Sequence, residues 1–301
     1  MAIKHKTSLG SKIFDTFNIM IMIFILVVVL YPIFNIIATS LSSARYISSG
    51  SVTIWPKGFT LQAYSDVFKD PYIFKGYINS IIYAVGSTGI MLVLTSLMAY
   101  PLTIPGFLGK KFITIFLTIT MFFGGGLIPT YLLMRSLHML NTVWVMIIPG
   151  AVGAYNVFLF RTFFLTVPGE LRESAIIDGA NDFVVLFRII LPLSKALLAT
   201  FALFGLVGSW NSWFNALIYL KDQNKYPLQM ILRNYLFTLD TNAIQGRVGA
   251  GNVAINSKGN TLDPKAVRMS VIIITMFPIM AIYPFFQKHF TKGVMIGAIK
   301  G

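Results

Sequence analysis

Six stretches of roughly twenty mainly apolar residues dominate this chain, and no aspartate or glutamate falls inside any of them. They run about Phe17–Ala38, Ile78–Ala99, Phe112–Leu133, Thr142–Phe164, Leu197–Leu220 and Met269–Phe286. Hydrocarbon about 30 Å thick takes roughly 20 residues of helix to cross, because each backbone amide must find its partner within the segment. Each stretch is therefore predicted as a transmembrane helix, which makes the chain an all-α, polytopic membrane protein with six spans. A soluble globule is excluded: 56% of the 301 residues are hydrophobic, 11% are charged and the mean hydropathy is +0.75, too much apolar surface for one core to hide.

The first stretch follows Lys4, Lys6 and Lys12, as the apolar part of a signal peptide would. Such segments are typically about 7–15 residues long, and this one is longer, so we read an uncleaved span. With no cysteine in the chain, disulfides, thiolate nucleophiles and thiolate metal sites are excluded.

If both termini are cytoplasmic, the 24 Lys and Arg divide evenly between the two sides. Orientation then rests on short flanks, where the rule of positive cytoplasmic loops acts. Three lysines before the first span against Arg45 after it, with Lys110 and Lys111 between the second and third spans, place both termini inside. The net charge of +14 is spread over loops, where a solvated rim facing lipid headgroups accounts for it and no nucleic acid is required. Two long external connections follow, Ser40–Tyr77 and Lys221–Arg268. In the second, Gly246, Gly249, Gly251, Asn252 and Asn256 read as a flexible polar finger. No repeat or composition break marks a second domain. One membrane domain over residues 1–301 is expected, with a peripheral first helix (17–38), a five-helix core (78–286) and a cytoplasmic tail (287–301).

All ten carboxylates sit at or beyond span ends. Proton relays and many cation sites use an intramembrane acid, so an ion-coupled carrier is disfavoured. His5, His138 and His289 lack ligand spacing, no nucleophile and base share a span, and no enzyme is indicated. The phosphate-binding pattern G-x-x-x-x-G-K-[ST] is also absent. Energy for transport must then come from another subunit, or transport is passive.

Four of the ten acids are concentrated in one segment, Glu170–Pro192, ELRESAIIDGANDFVVLFRIILP. Val167-Pro168-Gly169 ends the fourth span, and Pro168 can open a short helix whose positive end carries Glu170 and Glu173. Gly179 can end that helix in the left-handed conformation, and Asn181 or Asp182 can cap the next. Phe183, Leu186, Phe187 and Ile190 recur at helical spacing in the second limb. The pattern predicts a helix–Gly–helix bracket at the membrane surface; an ordinary interfacial hairpin is the plainer reading.

That segment resembles the EAA loop of ABC importer permeases, through Glu173, Ser174, Ala175, Asp178, Gly179, Ala180, Leu191 and Pro192, with Ser174 where a second Ala is usual. Met121–Thr142, Ser209–Leu220 (SWNSWFNALIYL) and the tail Phe286–Gly301 extend the likeness to the carbohydrate-uptake permeases of binding-protein-dependent importers, over about Ala2 to Gly301. The resemblance implies a type I permease subunit of the oligosaccharide-uptake branch in a bacterial cytoplasmic membrane. Its expected partners are a second, homologous permease, two ATP-binding subunits and an extracytoplasmic sugar-binding lipoprotein. ATP and Mg would be bound by the partners and no cofactor by this chain. Glu173, Ser174, Ala175, Asp178, Gly179 and Ala180 become the ATPase-coupling residues. The same fold importing a non-sugar solute, a passive channel and an ion-coupled carrier are the alternatives.

In the fifth span Asn211 and Asn215 are four apart, bordered by Trp210 and Trp213. Aromatic faces for sugar C–H groups, and amides for hydroxyls, suit a carbohydrate passage. The alternative is that the Trp residues anchor at the interface and the Asn residues bond a neighbouring helix. Gly124, Gly125 and Gly126, followed by Pro129, weaken the third span, either as a hinge or for close helix packing.

Overall fold

A computed structural model describes residues 9–245 and 263–298. The proposed finger between Gln245 and Gly259 lies almost entirely outside those residues, as do Lys4, Lys6 and the last three residues of the tail. Among the described residues the regular structure is entirely helical. The principal helices are α1 (Leu9–Ser40), α2 (Pro71–Ala99), α3 (Lys110–Phe122), α4 (Leu127–Ser136), α5 (Ala154–Phe164), α6 (Gly169–Ile177), α7 (Asp182–Leu193), α8 (Lys195–Trp210), α9 (Phe214–Tyr219), α10 (Leu228–Gln245) and α11 (Pro264–Ala298).

Three stretches are long and apolar enough to cross a bilayer: Gly10–Ser40, Pro71–Thr103 and Pro264–Phe285. Two bent pairs, α3 with α4 and α7 with α8, raise the number to five. The sequence led us to expect six spans, the third weakened at Gly124–Gly126, and three of the six are interrupted. The third span turns through 118° between Phe122 and Leu127. In the fourth, a turn of helix at Trp144–Ile147 is parted from α5 by Pro149 and by Gly150 at φ 82°. Within the fifth, Asn211–Trp213 separates α8 from α9. Hydropathy counts apolar residues and is blind to such breaks.

The chain groups into two compact units. One comprises the described parts of Met1–Asp70 and Tyr235–Ile274. Its α1 presents apolar side chains such as Phe14, Phe24 and Val29 outward, with none of its most apolar window buried, as expected of a helix whose solvent is lipid. Ile47, Ala63 and Ala266 form a small core, and Tyr235 donates to Asp70 Oδ2 at 2.6 Å. Burial raises the Tyr235 pKa, and the Asp70 hydrogen bond and charge raise it further.

The second unit, Pro71–Asn234 with the described part of Thr275–Gly301, contains the larger core. Its centre is the packing of α8 on α2, where Gly205 lets the backbone approach. A Cβ there would lie 2.8 Å from Thr88 Oγ1. Phe160 of α5 meets Phe201 of α8 edge-on at 4.9 Å, and both join Met91, Tyr100, Leu102, Leu117, Val185, Leu186 and Ile190. Three members of that core come from α7, so the polar segment between α5 and α8 is rooted in the unit's interior.

Candidate functional site: a braced helix–glycine–helix bracket

The segment 169–193 folds as two helices about a glycine. Gly179 has φ 83°, a conformation in which a Cβ is strained and glycine is not. Its amide donates to Ile176 O at 3.0 Å and the Ala180 amide to Ala175 O at 2.9 Å. This paired arrangement satisfies the last carbonyls of α6. Asn181 Oδ1 then accepts from the Val184 amide at 2.9 Å, capping α7. α7 widens into a π-helical stretch at Leu186–Ile190, and Pro192 follows near the 82° bend into α8.

Burial divides the six residues singled out from the sequence. Glu173, Ser174, Asp178 and Gly179 are exposed, whereas Ala175 and Ala180 are half-buried and pack against the core. The exposed side also carries apolar residues: Ile177 is 85% exposed and Phe183 67%. Two carboxylates around a bend, flanked by uncovered apolar side chains, form a surface suited to docking, with the backbone accessible at Gly179, where a Cβ would meet nothing within 4 Å.

A contact that sequence reasoning missed fixes the bracket's angle. Arg172 of α6 pairs with Asp182 of α7, Nη2 to Oδ1 at 3.0 Å. The Tyr100 hydroxyl, just beyond α2, donates to the same oxygen at 3.0 Å and accepts from Arg172 Nε at 3.3 Å. Burial pulls the Arg172 pKa down, but the hydrogen bonds with Tyr100 and Asp182 outweigh it and hold the guanidinium above its ordinary value. Both limbs are thereby tied to the end of α2. Arg161 Nε, donating to Leu102 O at 3.1 Å, ties α5 to the same turn.

The third-span glycines are not equivalent. Gly126, at φ 78° and ψ −176°, occupies a region essentially closed to other residues, while Gly124 lacks such a φ. No atom lies within 4 Å of a Cβ built at Gly124 or Gly126, and Gly125 would make only an ordinary contact with Pro129. Within this chain none of the three makes a close helix contact, and of the three only Gly126 has a backbone conformation that calls for glycine.

The aromatic and amide residues of the fifth span are dispersed by the interruption at Asn211–Trp213, so the one-face register expected of Asn211 and Asn215 does not hold. Trp210 is buried, donates Nε1 to Thr275 O at 3.1 Å and lies 6.1 Å from the Tyr77 ring. Asn211, Trp213 and Asn215 are exposed. Asn211 Oδ1 accepts from Gln229 Nε2 at 3.2 Å, and the Arg233 guanidinium lies 5.2 Å from the centre of the Trp213 ring. Gln229 and Arg233, one turn apart on α10, gave no signal in the sequence.

A further polar cluster joins distant turns of the same unit. Asn141, at φ 58°, accepts the Lys221 and Asp222 amides on Oδ1 at 3.1 and 3.0 Å, and its carbonyl accepts from Lys225 Nζ at 2.7 Å. Hydrogen bonds from the Asn224 backbone amide and then its side chain hold the Asp222 carboxyl below the usual carboxylate range. Among the described residues no group of three or more His, Cys, Asp or Glu could hold a metal ion.

Residues 90–296 match the family described as the binding-protein-dependent transport system inner membrane component. The chain belongs to that family. It is 40% identical over 298 residues to the protein LplC of Bacillus subtilis (strain 168), covering 99% of this chain and 98% of that protein. The polygalacturonan/rhamnogalacturonan transport system permease protein YtcP of the same organism is 33% identical over 291 residues, covering 97% and 99%. Among solved structures, a bacterial ABC transporter involved in the import of the acidic polysaccharide alginate superposes with a TM-score of 0.87 at 30% identity, covering 95% of this chain and 100% of the matched one. Membership in a family of membrane transport components makes this chain a transport subunit and not an enzyme.

Proposed function

We propose that this chain is the membrane permease subunit of an ATP-driven, binding-protein-dependent importer of oligosaccharides, working by alternating access. Family membership carries the permease role. The sugar class follows from relatives named for polygalacturonan and alginate transport. Partners are a second, related permease, two ATP-binding subunits that hold ATP and Mg, and an extracytoplasmic sugar-binding lipoprotein. The exposed face of the bracket, with Glu173, Ser174, Asp178 and Gly179 about the bend and Ala175 and Ala180 beneath it, docks into a cleft of an ATPase subunit.

Six crossings are reached when Trp144–Ile147 and Ala154–Phe164 count as one short broken span beside the five of the long helices and bent pairs. Both termini then face the cytoplasm, and the whole chain acts as one permease domain with α1 at its periphery. Gly126 at the break between α3 and α4 serves as a hinge. Trp213, Asn211 and Asn215 line the sugar's path, while buried Trp210 supports them. The test is uptake into proteoliposomes containing the chain with its permease and ATPase partners and the lipoprotein. Labelled oligosaccharide should accumulate only with ATP and the lipoprotein. Equal uptake without ATP would make the chain a channel or carrier, and ATP-driven uptake of a non-sugar alone would overturn the cargo class.

A further inference from the structure

The connection after α1 doubles back onto the helix it has just left. Asn35, inside α1, donates Nδ2 to Thr53 O at 2.7 Å, the Lys57 amide donates to Ser42 Oγ at 2.9 Å, and the Thr60 amide donates to Leu41 O at 2.9 Å. Gly58, at φ 62°, closes the turn against Ser43, whose Oγ would lie 2.5 Å from a Cβ built there. Residues 53–61 are thus fastened to the end of α1, within the same compact unit.

These fastenings set a depth. The apolar stretch of α1 from Phe17 to Ala38 is about 33 Å long at about 1.5 Å per residue, which matches hydrocarbon about 30 Å thick. Asn35 comes three residues before Ala38, about 4.5 Å along the helix. It therefore holds Thr53 close to the level at which hydrocarbon gives way to headgroups.

Beside this level the connection turns apolar side chains outward. Trp55 is 75% exposed, and Ile54, Phe59 and Leu61 are exposed as well. A contiguous apolar patch on a fastened turn marks a contact surface, and the helix it is fastened to has none of its most apolar window buried, so lipid already borders it. Arg45 and Lys57 are the charged residues between positions 41 and 65, and both are exposed. A lysine between two aromatic rings suits the membrane–water boundary, where rings rest at headgroup level and the ammonium reaches toward water and phosphate.

We propose that residues 53–61 form an interfacial anchor, in which Trp55, Phe59 and Leu61 enter the headgroup layer beside α1 and Lys57 meets lipid phosphates. The patch is covered by the bilayer surface, in continuity with the lipid-facing side of α1, and not by a protein. The inference requires that α1 crosses the membrane and is independent of the cargo.

Trp55→Cys and Phe59→Cys, each carrying an environment-sensitive nitrobenzoxadiazole label, are read in the purified permease–ATPase complex in lipid nanodiscs, with Ser65→Cys as the water-exposed reference. Lipid bearing a nitroxide near the headgroup should quench the labels at 55 and 59 several-fold more than the label at 65, and an aqueous nickel chelate should do the reverse. Intrinsic fluorescence supplies a reading that needs only a conservative change: lipid brominated high on its chains should quench the native complex more than the Trp55→Phe complex. Labels at 55 and 59 as open to the nickel chelate as the one at 65 would overturn the anchor, as would equal bromolipid quenching of the native and Trp55→Phe complexes. Labels shielded from both quenchers, or shielded from the aqueous one only after the lipoprotein is added, would also overturn it, because a protein would then be the cover.

Discussion

Gly179 and Gly126 share a backbone demand that no other residue type meets cheaply, yet they sit in elements with different tasks. At φ 83° Gly179 lies in the left-handed region with open space where a Cβ would be, so a side chain there is opposed by strain, of the order of 1–2 kcal/mol, and not by a clash. Gly179→Val should therefore leave the permease pair assembled while abolishing the stimulation of ATP hydrolysis by loaded binding protein. Full stimulation in that variant would remove the bend from the coupling role. Gly126, with ψ near 180°, is more demanding, and strain of about 1–3 kcal/mol is expected for Gly126→Ala. Gly124→Ala meets neither strain nor a neighbour. Uptake should fall several-fold in the first variant and stay unchanged in the second; the opposite order would mean that the break is not held by Gly126.

Among elements, the brace of Arg172, Asp182 and Tyr100 ties both limbs of the bracket to the end of α2, and under the coupling role proposed above a push on α6 and α7 would pass through it as well as through the core side chains of α7. Asp182 is about half exposed, so its ion pair adds little to stability, about 0.2–1 kcal/mol, and its loss should not unfold the subunit. What it should change is timing. Arg172→Gln and Tyr100→Phe should each raise ATP hydrolysed per sugar imported, and the double variant should be no worse than the poorer single one, as expected for members of one network. Additive losses would show that the two residues act apart. The Asn141–Asp222–Lys225 cluster has a different signature. Its carboxylate is depressed in the folded protein, so its contribution is present above the unfolded value near 3.9 and lost as pH falls through the lower folded value. Protease resistance around Lys221–Lys225 should thus persist below pH 4 in the native chain and fail earlier in variants that lose the Asn224 contacts. Asn224→Ala, showing no upward shift of that acid limb, would contradict the cause given.

For the whole molecule, what the sequence made legible was what local chemistry decides. The glycine, the capping asparagine and the small residues of 169–193 each act within a few residues, so the bracket was readable before any coordinates, as were α1, α2 and the apolar part of α11. The interruptions at Phe123–Gly126, Ile148–Gly153 and Asn211–Trp213 were harder, because an apolar run stays apolar whether or not its helix is broken. The first carried a warning in its three glycines and the second in the Pro149-Gly150 pair, whereas the third carried none. Contacts set by tertiary packing were not legible at all: Tyr100 meets Asp182 across 82 positions, and Trp213 meets Arg233 through a turn whose path the sequence leaves open. Topology is the global property that follows from both kinds of information. Ser65 lies exposed in the connection between α1 and α2, and Ser174 lies exposed in the bracket. In a chain with no native cysteine, Ser65→Cys and Ser174→Cys each give a single addressable thiol. If the bracket meets cytoplasmic ATPases, an impermeant maleimide should label the first in intact cells and the second only after permeabilisation. Assembly with the ATPase subunits should further protect the second thiol, because the Glu173–Gly179 bend is then covered. Labelling of Ser174→Cys in intact cells would place the bracket outside and remove the basis for its coupling role.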